Sequence, residues 1–394
     1  MTDESGVFYP GNHEGQMCYG GEADLHKDVA ECKKNPSHEP FIPLKDFNKM
    51  CLPLRYHDDD LIKSPGRPTD LACCESQNKN KMNDQPGVLC PGNHEAEMCY
   101  GGEADLHKHV ADCKKNPGHK GFIPLKDFNA ICLPSRYHDD DLMSETIKTL
   151  AALTVQVKTK FTSLERPEFY PGTQVPYPCY NDRGSHVMRL GTGRVWRLDK
   201  YTESDRKTCR CAKCQVSATP SKVWGMVRVV TATHVVFDDS EARQTRCVVG
   251  FDDNKSPGVN LDGWEVVGVP NIERDWRELI YVTCDLNLVD ELDTMRRRFD
   301  VLCGEVDDKY WRFDDVDKLT VIVSHPHGCP KQVSVGQWTH RHERDGWTRY
   351  WYTTCTCPGS SGAHVYMLGH VGLFYHHPHS GSNSEGNYGG EWFD

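Results

Sequence analysis

The sequence lacks a long apolar run and an apolar leader. No stretch of about 18 consecutive apolar residues occurs, which is the length that a membrane-spanning helix needs. The opening residues 1–15 are polar and acidic, and they lack the apolar core of a secretory signal. We therefore expect no membrane partner and a cytoplasmic protein, or an extracellular one if the natural N-terminus lies further upstream.

Positive charge is also scarce. The 394 residues include 46 Lys and Arg against 57 Asp and Glu, which gives a net charge of -11 at pH 7. Proteins that bind a phosphate backbone usually present an excess of positive charge, so we expect no nucleic-acid partner. A composition of 37% hydrophobic and 26% charged residues fits a globular protein of two or three domains.

An internal duplication occupies the first third of the chain. Residues 7–61 recur without a gap as residues 88–142, and a polar linker rich in Pro and Asn, 62–87, separates them. The sequence thus predicts two Cys/His-rich repeats of a family that we do not recognise. Tandem modules raise effective concentration through linkage, so we expect them to recruit protein partners or substrate.

The 19 cysteines are the most unusual feature of the composition. Thiolate and imidazole ligands could hold a structural zinc ion in each repeat, but the short Cys-x2-Cys pair that makes such a prediction specific is missing there. Reduced thiols and disulfides therefore stay open as alternatives. A second metal candidate is the charged segment "CRCAKC", whose three thiols would need a distant fourth ligand. The candidate metal ligands are Cys18, His26, Cys32, Cys51, Cys99, His107, Cys113, Cys132, Cys209, Cys211 and Cys214, and His38 and His119 also recur between the repeats.

After the second repeat the predicted structure changes from helix to strand. Apolar residues at helical spacing predict a helix that begins near Ser144 and continues past Phe161 to Leu164, within a connector at 143–168. Short β-rich runs then alternate with turn residues and predict a mainly β domain at 169–380. The Gly- and Ser-rich end, 381–394, is predicted to be flexible.

Three polar residues at strand edges suggest nucleophilic catalysis. His234 follows an apolar strand in "VVTATHVVF", Asp285 follows another in "IYVTCDLNLV", and Ser361 precedes a strand in "PGSSGAHV". A serine hydroxyl becomes a good nucleophile when an imidazole takes its proton, and a carboxylate can orient that imidazole. The amides of Gly359 and Ser361 would donate to the developing oxyanion.

In this order the motifs resemble those of the chymotrypsin-like (trypsin-fold) serine proteases, which carry T-A-x-H, D-x-x-L and G-x-S-G. The resemblance covers roughly residues 185–380. It implies two antiparallel six-stranded β-barrels and hydrolysis of peptide bonds through an acyl-enzyme, with no cofactor required for catalysis. It also implies that four residues line the substrate cleft, with Cys355 at the position of the aspartate that sets trypsin specificity; they are Cys355, Tyr375, His376 and His377.

The sequence departs from that family at the residues that support zymogen activation. The Ile-Val-Gly-Gly start is absent, and Ser360 occupies the position of the aspartate that would receive a new amino terminus, so activation of a zymogen is not expected. The alternative to a serine endopeptidase is a catalytically inactive protease-like domain that acts as a binding or adaptor protein. A metal-dependent hydrolase is a weaker alternative, because no H-E-x-x-H motif occurs.

Overall fold

The computed structural model describes residues 92–393 except 103–105, 140, 257, 345 and 371–376, together with two short strands near the N-terminus. The chain divides into two compact units, Met1–Asp84 and Gln85–Asp394. In the first unit, β1 (Val7–Phe8) pairs antiparallel with β2 (Ile42–Pro43). The second unit contains the second repeat and the rest of the chain.

One antiparallel sheet of the second unit is built around β6, β7 and β8 at its centre. Its strand order is β10-β9-β6-β7-β8-β12-β11, and β4 also pairs with β7. β-branched residues are frequent in β6 and β8, and both faces of these two strands are largely buried. The strands are β4 (Glu97–Cys99), β6 (Thr154–Thr159), β7 (Met188–Tyr201), β8 (Trp224–Thr231), β9 (Thr245–Val249), β10 (Val259–Asp262), β11 (Glu265–Val266) and β12 (Arg277–Thr283).

The second antiparallel sheet has the order β16-β13-β14-β15-β18-β17-β3. In addition, β5 pairs with β14 and β19 pairs with β15. The strands are β3 (Asn93–His94), β5 (Ile123–Pro124), β13 (Leu319–Ser324), β14 (Gln332–Arg344), β15 (Trp347–Tyr352), β16 (Val365–Met367), β17 (His379–Asn383), β18 (Gly386–Gly389) and β19 (Trp392–Phe393).

Six α-helices accompany the sheets within the described residues, and none of them is long and apolar enough to cross a membrane. They are α1 (Leu106–Ala111), α2 (Leu142–Leu153), α3 (Ala212–Gln215), α4 (Asp239–Ala242), α5 (Leu286–Tyr310) and α6 (Asp314–Asp317). The main core includes buried side chains of both sheets, of α2 and of α5, for example Leu150, Val229, Phe299 and Val321.

The predicted mainly β fold class is confirmed, with antiparallel sheets that curl into half-barrels. Counted over the described residues, the two sheets contain eight and nine strands, compared with the predicted six per barrel. Part of the excess comes from the second repeat, because its residues supply β4 to the first sheet and β3 and β5 to the second.

The helical connector is shorter than predicted. Helix α2 ends at Leu153, and the chain enters β6 at Thr154 without a loop. The run "TVQVKT" contains Val155, Val157 and two threonines, whose β-branched side chains favour a strand. The apolar positions beyond Leu153 therefore belong to the first sheet or to the loop that follows it, and Leu164 is exposed.

The C-terminal segment was predicted to be flexible, and the structure corrects this. Residues 379–393 form β17, β18 and β19, which complete the second sheet. Tyr388 is buried, and its hydroxyl accepts a hydrogen bond from the amide of Gly92. The glycines of this segment let strands approach closely: a Cβ added at Gly381 would lie 2.4 Å from the carbonyl oxygen of Asn93.

A buried ionic network fixes the turn that carries His234. The carboxylate of Glu241 binds Arg166 at 2.6 Å and Arg189 at 2.6 Å, and all three side chains are fully buried. Arg166 also donates to the carbonyl oxygen of His234 at 3.0 Å, and Arg189 donates to that of Val235 at 2.9 Å. The network therefore joins the backbone of this turn to the start of β7.

We expect Glu241→Gln to destabilise the protein strongly, because it leaves two buried guanidinium groups without a carboxylate. Removal of one partner from a buried ionic network costs about 3–5 kcal/mol of unfolding free energy. Urea denaturation measures this loss. The control is Asp262→Asn, which removes an exposed pair with Arg246 and should change the free energy by less than about 1 kcal/mol. Equal effects of the two variants would contradict the role of the network.

The carboxylate of Glu241 also makes the unfolding free energy depend on pH in the acid range. Burial opposes the ionisation of Glu241, but the charges of Arg189 and Arg166 outweigh it and lower its pKa from 4.5 to about 2. A carboxyl whose pKa is lower in the folded chain stabilises it above the unfolded pKa, and this contribution is lost as the pH falls towards the folded pKa. The difference in unfolding free energy between wild type and Glu241→Gln should thus shrink between about pH 5 and pH 2. A pH-independent difference would argue against a charged Glu241.

Candidate active site

One carboxylate binds both the backbone and the imidazole ring of His234. Its backbone amide donates to Oδ1 of Asp275 at 3.0 Å, and its Nδ1 lies 2.7 Å from Oδ2 of the same residue. His234 is fully buried and Asp275 is 3% exposed. The hydroxyl of Ser380 also donates to Oδ2 of Asp275. Two bonds to one carboxylate fix both the position and the ring orientation of the imidazole.

The carboxylate that contacts His234 is therefore Asp275, where the sequence predicted Asp285. Asp285 instead caps helix α5, because its Oδ1 accepts a hydrogen bond from the amide of Leu288 at 3.2 Å. Asp275 precedes β12 and Asp285 follows it, so the two lie at opposite ends of one strand. The segment 273–285 contains several acidic residues near strand β12, and sequence spacing alone does not distinguish them.

The protonation states suit proton transfer. Burial lowers the pKa of His234 to about 4, against the opposing charge of Asp275. Burial also opposes the charge of Asp275, but the charge and hydrogen bond of His234 hold the pKa of this carboxyl far below its usual range. At neutral pH the imidazole is uncharged beside an ionised carboxylate, so its Nε2 can accept a proton.

The Ser361 loop packs against the His234 turn. The amide of Thr192 donates to the carbonyl oxygen of Ser361 at 2.7 Å, and the Thr192 hydroxyl donates to that of Gly359 at 2.8 Å. A Cβ added at Gly362 would lie 2.8 Å from the amide nitrogen of Ala232. In the part of the chain that the structure describes, the buried Oγ of Ser361 and Nε2 of His234 have no hydrogen-bond partner.

Gly359 has a backbone that requires glycine. Its φ is +95°, and an added Cβ would lie 2.6 Å from the carbonyl oxygen of His325. This conformation directs the Gly359 amide to the carbonyl oxygen of Glu95, to which it donates at 2.7 Å. The predicted oxyanion donor therefore already binds a peptide carbonyl, and that carbonyl belongs to the second repeat.

Glu95 and Ala96 pass the loop between two short strands, β3 and β4. We call residues 93–97 the cleft segment. On one side β3 pairs with β17, with His94 opposite Gly381. On the other side Glu97, at the start of β4, lies opposite Leu190 of β7. The His94 ring lies against the His234 ring at an interplanar angle of 57°, with 4.4 Å between ring centroids.

The side chain of Glu95 occupies a buried polar pocket. It is 5% exposed and forms an ion pair with Lys115. Three further groups bind its two oxygens: the Ser382 hydroxyl at 2.8 Å, the Thr356 hydroxyl at 3.0 Å and Nε2 of His379 at 3.0 Å. Burial opposes the charge, but the hydrogen bond from His379 and the ammonium of Lys115 outweigh it and hold the pKa of Glu95 well below its usual value.

The predicted cleft residues lie near this pocket in part. Cys355 contacts the second repeat, because a Cβ added at Gly121 would lie 2.3 Å from its sulfur. His377 is buried, and its Nδ1 bonds the carbonyl oxygen of Gly390 at 3.2 Å. Tyr375 and His376 lie outside the described residues. Sequence reasoning missed His379, Thr356, Ser382 and Ser380. Of these, Ser382 lies in the segment 381–394 that the sequence predicted to be flexible, and the others lie within the predicted β domain.

A first thiol cluster brings Cys284 close to Cys209, Cys211 and Cys214, the three thiols that were expected to need a distant fourth ligand to bind a metal. The Sγ atom of Cys284 lies 3.3 Å from that of Cys214 and 3.7 Å from that of Cys211. All four sulfur atoms lie within 4.8 Å of one another. Tetrahedral zinc with bonds of about 2.3 Å separates its sulfur ligands by about 3.8 Å, so the donor set and spacing fit zinc.

A second cluster joins the second repeat to the Ser361 loop. Its members are Cys113 and His119 of the repeat, His327, and Cys357, which stands two residues before Gly359. The two sulfur atoms are 3.6 Å apart. Two thiols and two imidazoles are a common structural zinc set. This set was not predicted, because two of its members lie more than 200 residues further along the chain.

The remaining candidate metal ligands are not in these clusters. Cys99 packs with Met188 and Leu190 in a small apolar cluster. The Cys132 thiol lies near the carbonyl oxygen of Asp127. The side chain of His107 and the residues Cys18, His26, Cys32 and Cys51 lie outside the described part of the chain.

Comparisons with known proteins give distant similarities only. No protein-family model matches the chain, and no curated protein matches it. Among solved structures it is similar to the HtrA-type protease AlgW with tripeptide, at 12% identity over 63% of this chain and 58% of that chain, with a TM-score of 0.33. It is also similar to the active form of the Rv3671c protease from M. tuberculosis, at 12% identity over 64% of this chain and 80% of that chain, with a TM-score of 0.31. We therefore base the functional assignment on the geometry of the site.

Proposed function

We propose that the protein is a serine endopeptidase with Ser361 as nucleophile, His234 as general base and Asp275 as the orienting carboxylate. The observation that carries the proposal is the double hydrogen bond between Asp275 and His234. Within the described residues it leaves Nε2 of the imidazole without a partner, as is the Oγ of Ser361, whose loop packs against the turn before His234. Asp275 takes the role that the sequence assigned to Asp285.

In the proposed reaction, Ser361 Oγ attacks the carbonyl carbon of a peptide bond while His234 accepts its proton. The amides of Gly359 and Ser361 stabilise the oxyanion, and loss of one such donor costs about 10²–10³ in rate. His234 then protonates the leaving amine, and an acyl-enzyme remains on Ser361. Water activated by His234 hydrolyses this ester and regenerates the serine. No metal or cofactor takes part.

The rival function is an inactive protease-like binding domain. One observation favours it: His234 and Ser361 are both fully buried, and the cleft segment contacts the His234 ring and the Gly359 amide. In a binding domain the cleft segment would stay in place permanently. In a peptidase it would be cleaved as a substrate or would leave the site. Recruitment of partners by the repeats remains a separate prediction.

A fluorophosphonate probe should label Ser361 if the serine is activated. We expect labelling of the full chain, and faster labelling of Glu95→Lys, in which a new ammonium would face Lys115 and displace the cleft segment. Ser361→Ala and His234→Ala should abolish labelling. Asp275→Asn should slow it by about 10⁴-fold, because the imidazole loses its orientation.

The matched control is Asp285→Asn, which changes only a helix cap. It should cost about 1 kcal/mol of unfolding free energy or less. The labelling rate should stay within about threefold of the wild-type rate, which is a smaller change in activation free energy than the RT ln 10 of a tenfold effect. If Asp285→Asn and not Asp275→Asn slowed labelling, the assignment of the triad would be wrong. If neither wild type nor Glu95→Lys were labelled, the binding domain would be the better assignment.

We also propose that the two thiol clusters bind structural zinc, one through Cys209, Cys211, Cys214 and Cys284. The other uses Cys113, His119, His327 and Cys357, and it would fasten the second repeat to the Ser361 loop. Either ion would staple segments that lie far apart in sequence and contribute its binding energy to folding.

Metal analysis of single variants tests the two sites separately. Cys284→Ser and Cys357→Ser should each remove about one zinc equivalent per chain and lower the melting temperature, because each breaks a four-ligand site. Cys132→Ser is the control, since its thiol lies in neither cluster, and it should leave the zinc content unchanged. Equal zinc content in all three variants would contradict both sites.

A further inference from the structure

The cleft segment has the geometry of a bound substrate, and this observation goes beyond the assignment of the triad. A peptide in a protease cleft lies extended, pairs with the enzyme's strands on both sides of the scissile bond and places the scissile carbonyl in the oxyanion site. Residues 93–97 meet each condition, through β3 with β17, β4 with β7, and the Gly359 amide on the carbonyl oxygen of Glu95. The carbonyl so placed belongs to the bond between Glu95 and Ala96.

The pocket around the Glu95 side chain is built for a carboxylate. Each group that contacts its oxygens donates: Lys115, Ser382, Thr356 and His379. The last of these is oriented by a further bond, because the hydroxyl of Tyr352 lies 2.7 Å from Nδ1 of His379. With Nδ1 as acceptor, Nε2 carries the proton and points it at the glutamate.

The pocket discriminates against substrates that have no carboxylate, because such substrates would leave its buried hydrogen-bond donors unpaired. His379 and Thr356 are fully buried, so a substrate that lacks a carboxylate would leave them without an acceptor. Sites built to hydrogen-bond a polar group reject analogues that lack it far more strongly than apolar pockets reject a missing methylene. Lys115 adds a positive charge that favours glutamate over glutamine.

We propose that the site selects glutamate on the N-terminal side of the scissile bond, and that Glu95–Ala96 is a bond within the chain that it cleaves. This rests on the proposed serine peptidase function. Ser361 would form an ester with the Glu95 carbonyl, the bond to the Ala96 nitrogen would break, and His234 would protonate that nitrogen. Water would then release Glu95 as a new carboxyl terminus. The product 96–394 keeps all four donors of the pocket.

The sequence contains a second copy of the same motif. Asn12, His13 and Glu14 of the first repeat repeat the residues Asn93–Glu95, and a small residue follows in both copies. We therefore expect a peptide with the sequence of residues 12–15 to be cleaved after its glutamate as well.

The test follows the purified full chain by intact mass and N-terminal sequencing. We expect a new N-terminus at Ala96 whose rate of formation does not depend on protein concentration, and no cleavage in Ser361→Ala. Glu95→Gln should slow the cut by at least about 30-fold, because removal of one partner of a buried, hydrogen-bonded charge pair typically costs that much or more. Glu203→Gln, an exposed glutamate on the turn after β7, is the matched control and should be cleaved like wild type.

A peptide pair tests the selectivity independently of the chain's own bond. Peptides with the sequences NHEAEM and NHQAEM are compared on wild type and on Lys115→Met. Wild type should prefer the glutamate peptide by at least about 30-fold in kcat/KM, and Lys115→Met should lose most of that preference.

The outcomes separate this proposal from the function on which it rests. Labelling of Ser361 by the fluorophosphonate, with equal cleavage of both peptides or with an intact Glu95–Ala96 bond, would overturn the proposal and leave the peptidase assignment standing. Absence of labelling in both wild type and Glu95→Lys would overturn the peptidase assignment itself.

Discussion

The turn that carries His234 depends on a buried ionic network. Glu241 lies on a helix of only four residues. Its carboxylate holds the turn through ion pairs with Arg166 and Arg189. Arg166 donates to the carbonyl oxygen of His234, and Arg189 donates to that of Val235. Buried charges are costly when unpaired, so the network has one satisfactory arrangement. That arrangement sets the backbone to which Asp275 then binds.

The second repeat is part of the same compact unit as the β domain. It supplies β4 to one sheet and β3 and β5 to the other, so its strands fill edges that would otherwise expose unpaired backbone groups. The consequence is an occupied cleft. A Glu95 carbonyl on the Gly359 amide and a Glu95 carboxylate among four donors make this contact specific, because both the backbone and the side chain of one residue are satisfied together.

The two thiol clusters answer different structural needs. The one that contains Cys284 joins the segment 209–214 to the end of β12, within a small apolar cluster that includes Trp224, Met226 and Val282. The one that contains Cys357 joins the repeat to the loop before Gly359. Small regions with little core commonly use metals as staples, and each cluster joins segments that lie far apart in the sequence. The zinc at the second would therefore also influence how firmly the cleft segment is held.

The sequence by itself contains the duplication and predicted the mainly β class, and it selected His234, Ser361 and Gly359 as candidate site residues, because these depend on local patterns: alternating strands, a turn after a strand, and a glycine that adopts a positive φ. It could not distinguish Asp275 from Asp285, since both stand at ends of one strand and only the pairing of β12 with β8 decides which end meets the imidazole. The fourth thiol of one cluster, the whole of the other, and the placement of Glu95 in the cleft were decided by contacts between residues far apart in the chain. Such contacts follow from sheet register and side-chain packing, which no local spacing encodes.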